Sequence, residues 1–247
     1  MLVFNLFCDA SIDTQRKIAC GGCYVSVQED YQPPCHFLTK AIIQEHATNN
    51  SSEILAIWIG VNEALQIRKQ YPNAVFRLFS DSKISVYGLR SWMVNWIKNI
   101  NPNDPDRILV SSSGEPVANQ QRFIDIFNMI VRNNLRIELY HQRGHVGSKN
   151  LSLDKARIDF VKNNKVSPEN LGITIAYLCQ CNDYIDNFTR ESIKTFISTG
   201  KVPNNVSLEL KDPMIHYIMN DNLNQYVRCI DKTTVISRHD FKGGYNQ

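Results

Sequence analysis

The sequence predicts an α/β protein: a mixed sheet of five strands, the first three antiparallel, with helices packed against it. Two observations carry this expectation. Strand-like and helix-like runs follow one another as β-β-β-α-β-α-α-β-α over residues 1–165. The first three runs are joined by short polar turns, as in an antiparallel meander, whereas the later strands are separated by helices.

Residues 2–8 form the first strand and run into "DAS"; residues 18–28, "IACGGCYVSVQ", form the second, and residues 35–46 the third. A long helix runs from about Ser51 to Gln70, with Ile54, Trp58, Val61 and Leu65 recurring on one face. "NAVFRLFSD" (73–81) is a β-branched and aromatic strand, and "SKISVYGLRSWMVNWIKN" a helix ending near Pro102. A loop rich in Asn, Asp, Pro and Ser leads to the amphipathic helix "NQQRFIDIFNMIVRNN", the strand "LRIELYHQR", a Gly-containing loop "GHVGSKN" and the helix "LSLDKARIDFVKNN". "NNKVSPENLG" (163–172) breaks the pattern, so the chain divides into residues 1–165 and a smaller C-terminal accessory region, 166–247. That region reads as mainly helical, with Gly200 as a C-cap and "QYVRCIDKTTVISRHDF" compatible with a β-hairpin around Asp231-Lys232.

Composition narrows the function classes. Hydrophobic residues make up 43% and charged residues 21%, as in a globular domain, and the net charge of +3 alone does not mark a nucleic-acid binder. The charge is uneven: residues 1–165 hold 19 Lys/Arg against 15 Asp/Glu, and residues 166–247 hold 8 against 9. A polyanion therefore meets the first part. The seven cysteines include Cys20-x-x-Cys23 but no second pair at zinc-site spacing, so they read as free thiols of a cytoplasmic protein. The apolar start "MLVFNLFC" is too short for a signal peptide, and no run of ~20 apolar residues suggests a membrane span.

Four carboxylates stand at the ends of elements. Asp9 closes the first strand, Glu53 lies in the first turn of the first long helix, Asp81 ends the strand "FRLFS", and Asp154 lies in the first turn of the helix after "GHVGSKN". If the strands of Asp9 and Asp81 are parallel neighbours, the two carboxylates meet at one sheet edge, within reach of Glu53. Like charges so close demand cations or protons, and hard oxygen ligands select Mg²⁺ or Mn²⁺. Singly, each has a plain structural reading. Asp favours strand ends and turns, and Glu53 follows Asn50 at capping-box spacing.

In these blocks the sequence resembles type 1 ribonuclease H, the form found in bacteria and in reverse transcriptases. "FCDAS", "CGGCYV", "TNNSSE", "FSDSKISVYGLRSWM" and "RGHVGSKNLSLDKA" match the family's motifs in order and spacing across residues 1–165. The resemblance implies a ribonuclease H-like fold. It also implies endonucleolytic cleavage of the RNA strand of an RNA–DNA hybrid by two metal ions (Mg²⁺, with Mn²⁺ as substitute), leaving 5′-phosphate and 3′-hydroxyl ends. By motif, Asp9, Glu53, Asp81 and Asp154 are the metal ligands and His145 is the loop histidine that aids proton transfer. Asn49 and Asn50 would touch the hybrid in its minor groove, Thr48 a DNA phosphate, Trp92 the DNA strand, and Ser82 would lie beside the active site. Three departures qualify the match. His145 and Asp154 are nine apart, about one residue tighter than in bacterial members. The 98–117 protrusion is poor in basic residues. Asp159 lies on roughly the opposite helical face from Asp154, so it is a poor substitute ligand. Two other readings compete: a DNA nuclease or resolvase on the same fold, and a catalytically quiet module binding nucleic acid. Residues 166–247 match no motif. With a net charge of −1 they are expected to pack on the catalytic part or dock a replication protein, although Tyr226 and Phe241 beside Arg238 offer a stacking alternative.

Overall fold

The computed structural model describes residues 1–30, 32–101, 103, 108–144, 146, 152–209 and 223–230. In chain order its elements are β1 (Leu2–Asp13), β2 (Ile18–Glu29), β3 (Cys35–Glu45), α1 (Asn49–Gln70), β4 (Val75–Ser80), α2 (Lys83–Tyr87), α3 (Met93–Lys98), α4 (Gln120–Arg132), β5 (Glu138–His141), α5 (Leu153–Asn164), α6 (Ile175–Thr199), β6 (Val206–Leu208) and α7 (Leu223–Cys229). The sheet runs β5-β4-β1-β2-β3-β6. As expected, β1, β2 and β3 form an antiparallel meander. β4 pairs in parallel with β1, and β5 in parallel with β4.

Several expectations need correction. The sheet has six strands rather than five, because Val206–Leu208 pairs in parallel with Ala41–Ile43 and covers the outer edge of β3. Three residues carry too little periodicity to announce such a strand. The hairpin placed on "QYVRCIDKTTVISRHDF" does not form at its start. Tyr226 lies in α7, buried, stacked on Phe127 with ring centroids 4.6 Å apart and donating its hydroxyl to the Leu89 carbonyl at 2.7 Å. It serves the core and not base stacking. Asp231, Lys232, Arg238 and Phe241 lie outside the described residues.

The sheet is the middle of three layers, and the period-2 alternation of its strands supplies both cores. Phe4, Leu6 and Cys8 of β1 pack with α1, α4 and α7, whereas Phe7 joins Phe79, Tyr140, Phe160 and residues of α6 on the opposite face. The helix expected after Ser82 is broken into α2 and α3 by a π-helical turn over Gly88–Trp92. The two helical runs expected after residue 172 are one 25-residue helix, α6, ending at Gly200 in the left-handed conformation (φ 68°). Among the described residues no helix is long and apolar enough to cross a membrane.

All seven cysteines are free thiols. Cys20 and Cys23, three residues apart on one strand, sit in different clusters on opposite faces of the sheet and cannot share an ion.

Close approach of α1 to β2 depends on Gly21. A Cβ there would lie 2.9 Å from the Ala56 amide nitrogen and 3.1 Å from the Ser52 carbonyl oxygen. These are backbone atoms, so the helix itself would have to move. We expect Gly21→Ala to destabilise the protein by about 1–3 kcal/mol, read as a lower urea midpoint with an unchanged slope.

Candidate active site

Register brings the carboxylates together. The parallel pairing of β1 with β4 ends at Cys8↔Ser80, and that of β4 with β5 at Ser80↔His141. The residues that follow, Asp9, Asp81 and Gln142, therefore stand in one row beyond the paired strands. β1 itself does not end there. It continues against β2 to Asp13, so Asp9 sits within its strand, facing Gly22, and is held by backbone on one side only. Alternation gives Asp9 the face of Phe7, the face covered by α6.

Glu53 arrives from the opposite layer, and not as a cap. Helix α1 begins at Asn49, with Thr48 as N-cap. The Ser51 amide donates to the Thr48 hydroxyl at 3.2 Å, and the Ser51 hydroxyl accepts from the Thr48 amide at 2.8 Å. This closes the capping box two residues before Glu53, which stands in the second turn. Its carboxylate is thus unused by the helix end and turns to the sheet. Among the described residues, Asp9, Glu53 and Asp81 form a group in which one carboxylate oxygen from each lies within 4.8 Å of the other two.

The electrostatics match that crowding. Burial, then the charges of Asp81 and Glu53, raise the Asp9 carboxyl well above the usual range. Burial, then Asp81 and Asp186, push Glu53 up to about 8. Glu53 Oε2 is buried with no hydrogen-bond partner among the described residues. A buried, partnerless carboxylate oxygen beside two more carboxylates is costly unless a cation completes it. The donor set is oxygen only, suited to a hard divalent ion.

The other side chains singled out from the sequence fall as follows. Asn49 and Asn50 are exposed in the first turn of α1, beside the exposed Thr48. Ser82 follows Asp81 directly and caps α2. Trp92 is half-buried between Tyr87 and Trp96. Asp154 lies in the first turn of α5, exposed, and outside the group of three. Asp159 is paired with Arg143. His145 lies outside the described residues, but its neighbour Gly144 packs directly on the site. A Cβ on Gly144 would overlap Asp81 Oδ2 at 1.7 Å.

Four participants were not singled out in advance. His141 holds the backbone behind Asp81. Its Nε2 donates to the Asp81 carbonyl at 3.1 Å and its Nδ1 accepts from Asn163 at 3.0 Å. Burial lowers its pKa to about 4, so the ring is neutral at pH 7. Gln142, Asn182 and Asp186 approach from β5 and α6. Only a buried polar stripe at helical spacing on α6 (Asn182, Asp186, Thr189) signals the latter two, and burial is not visible in a sequence.

These shifts set a pH dependence for metal-free protein. Glu53 binds its proton more tightly folded than unfolded, where its pKa is near 4.5. Its protonated form therefore supports the fold fully below about pH 4.5, and that support is lost as pH rises through about 8. His141 acts in the other window, costing stability as pH falls from about 6.5 to about 4. We expect the melting temperature in chelator to fall from pH 6.5 to 9, Glu53→Gln to flatten that decline, and Mg²⁺ to reverse it in the parent alone.

The family model for RNase H matches residues 3–160, which contain all four motif carboxylates. Among solved structures, LC9-RNase H1, a type 1 RNase H with the type 2 active-site motif, is 16% identical over 65% of this chain and 71% of that one, with a TM-score of 0.43. The RNase H1 of the halophilic archaeon Halobacterium salinarum is 14% identical over 65% of this chain and 98% of that one (TM-score 0.38). The PFV RNase H domain is 15% identical over 75% and 96% (TM-score 0.40). No curated protein matches the chain. With its family match covering well over half the sequence, the chain belongs to the RNase H family.

Proposed function

We propose that this protein is a metal-dependent endoribonuclease that cleaves the RNA strand of RNA–DNA hybrids, giving 5′-phosphate and 3′-hydroxyl ends. The observation that carries the reading is the group of Asp9, Glu53 and Asp81, drawn from β1, α1 and β4 into one 4.8 Å cluster within the family-matched segment. These three residues would hold two Mg²⁺ ions, with Mn²⁺ able to substitute. Held there, such ions would supply activation of the attacking water and stabilisation of the leaving oxygen. The chain's own residues do the rest. His141 fixes the backbone at Asp81, and Gly144 leaves room for the Asp81 carboxylate. The exposed amides of Asn49 and Asn50, with Thr48 at a helix N-terminus, suit contacts to sugar hydroxyls and a phosphate. By motif, half-buried Trp92 would lie near the DNA strand and His145, which lies outside the described residues, would aid proton transfer. Seven free thiols fit a cytoplasmic setting. We place the catalytic domain at residues 1–165, completed by residues 166–247.

Asp154 carries the family's fourth carboxylate by motif, yet stands exposed and apart from the three. Its contribution should therefore be the smaller one. On labelled RNA–DNA hybrid with Mg²⁺, we expect Asp81→Asn to abolish cleavage while the protein still folds, melting in chelator no lower than the parent because one repelling charge is gone. Asp154→Asn should leave a measurable rate, reduced by about 10–100-fold. Hybrid, duplex DNA and duplex RNA assayed side by side check the substrate. Cleavage of duplex DNA in preference to hybrid would overturn the reading in favour of a DNA nuclease.

A further inference from the structure

Helix α6 lies beyond the family-matched segment, yet it closes the carboxylate group from the face opposite α1. The inward side of this amphipathic helix carries buried polar residues at positions 182, 186, 189 and 192. Thr189 and Asp186 bond Ser11 of β1. Asn182, only 1% exposed, does something different. Its Nδ2 donates to Asp9 Oδ2 at 3.2 Å, and its Oδ1 accepts from Gln142 Nε2 at 2.5 Å. Gln142 is itself buried, and its backbone amide is tied to the Ser80 carbonyl at 3.0 Å.

We propose that Asn182 is a positioning residue for the metal site, acting through Asp9 and braced by Gln142. The inference rests on the RNase H reading above. As a metal ligand Asp9 would be ionised and would only accept hydrogen bonds, which is what the Asn182 amide NH₂ turned to Oδ2 provides. Its carbonyl is thereby committed to the other side, where Gln142 must present an NH₂. The charge on Asp9 thus sets the direction of the whole chain of bonds. The second Asp9 oxygen, Oδ1, accepts from the Ala10 amide at 2.7 Å. With one donor on each oxygen, the plane of the carboxylate is fixed, and its remaining lone pairs are left for the space shared with Glu53 and Asp81. That fixing matters because the terminal torsion of Asp is intrinsically broad, and repulsion from two neighbouring carboxylates would otherwise rotate it away.

The test uses the full chain and two readouts, hybrid cleavage kinetics and calorimetric titration with Mn²⁺. We expect Asn182→Ala to lower kcat by about 10–100-fold with KM for hybrid within about twofold, and to weaken Mn²⁺ binding by about tenfold. Gln142→Met, which keeps the Asn182–Asp9 bond but removes its brace, should give a smaller change in the same direction. A merely structural role would lower the melting temperature of Asn182→Ala and leave Mn²⁺ affinity and kcat at parental values, which would overturn the inference. If Asn182→Ala does not fold, Gln142→Met decides: parental Mn²⁺ binding and kcat in that variant overturn it. A parent that binds Mn²⁺ but does not cut hybrid would overturn the functional reading instead, and the Mn²⁺ titrations would still judge Asn182.

Discussion

Mutual repulsion among Asp9, Glu53 and Asp81 is the constraint on which the rest of this structure depends. Three carboxylates within 4.8 Å in a largely buried setting are unfavourable in the metal-free chain, and the raised affinity of Asp9 and Glu53 for protons records that cost. A fold can hold such a group only by fixing each side chain from behind. The parallel register of β1 and β4 fixes the two aspartates side by side. The N-cap at Thr48 fixes the start of α1, and Gly21 lets that helix lie close enough for Glu53 to reach the sheet end. His141 holds the Asp81 carbonyl from below.

The arrangement also explains why the helix caps are built from hydroxyls here. A Glu used as capping partner would be tied to backbone amides. Thr48 and Ser51 perform the capping instead, and Glu53 is left with a buried oxygen that nothing among the described residues satisfies. Local stability and site chemistry are thereby separated along five residues of one helix. The same separation recurs at β1, where the strand continues to Asp13 for pairing with β2 while β4 stops short, leaving Asp9 paired on one side and open on the other.

Much of this was legible in the sequence because it is local. Apolar, β-branched and aromatic runs bounded by polar turns gave away β1 to β5, and the carboxylates of β1, α1 and β4 announced themselves through short motifs whose geometry the adjoining elements dictate. What stayed hidden depends on contacts distant along the chain. Asn182 meets Asp9 across 173 positions, and nothing near Asn182 marks it as different from any polar residue on an amphipathic helix. His141 reads as one strand residue among others until its ring is seen against the Asp81 carbonyl. β6 is too short for periodicity, and Tyr226 reads equally well as a strand or helix residue until Phe127 is found stacked on it. Even Glu53 was ambiguous, because capping-box spacing from Asn50 and the true box from Thr48 differ by only two residues.

Helix α6 bears on what residues beyond 165 are for. An appended arm that only gathered substrate would be expected to show a basic, exposed face. α6 instead inserts Ile185 and Thr189 against Gly22, where a Cβ would meet them at 2.8 and 2.7 Å, and seals the Phe7–Phe79 side of the sheet. Removing it would uncover that core and would also remove the donor on Asp9 Oδ2 and the nearby charge of Asp186. The segment is thus built into the same physical problem as the motif residues: α1 and β4 bring the negative charges together, and α6 supplies part of the frame that keeps them aimed at one point.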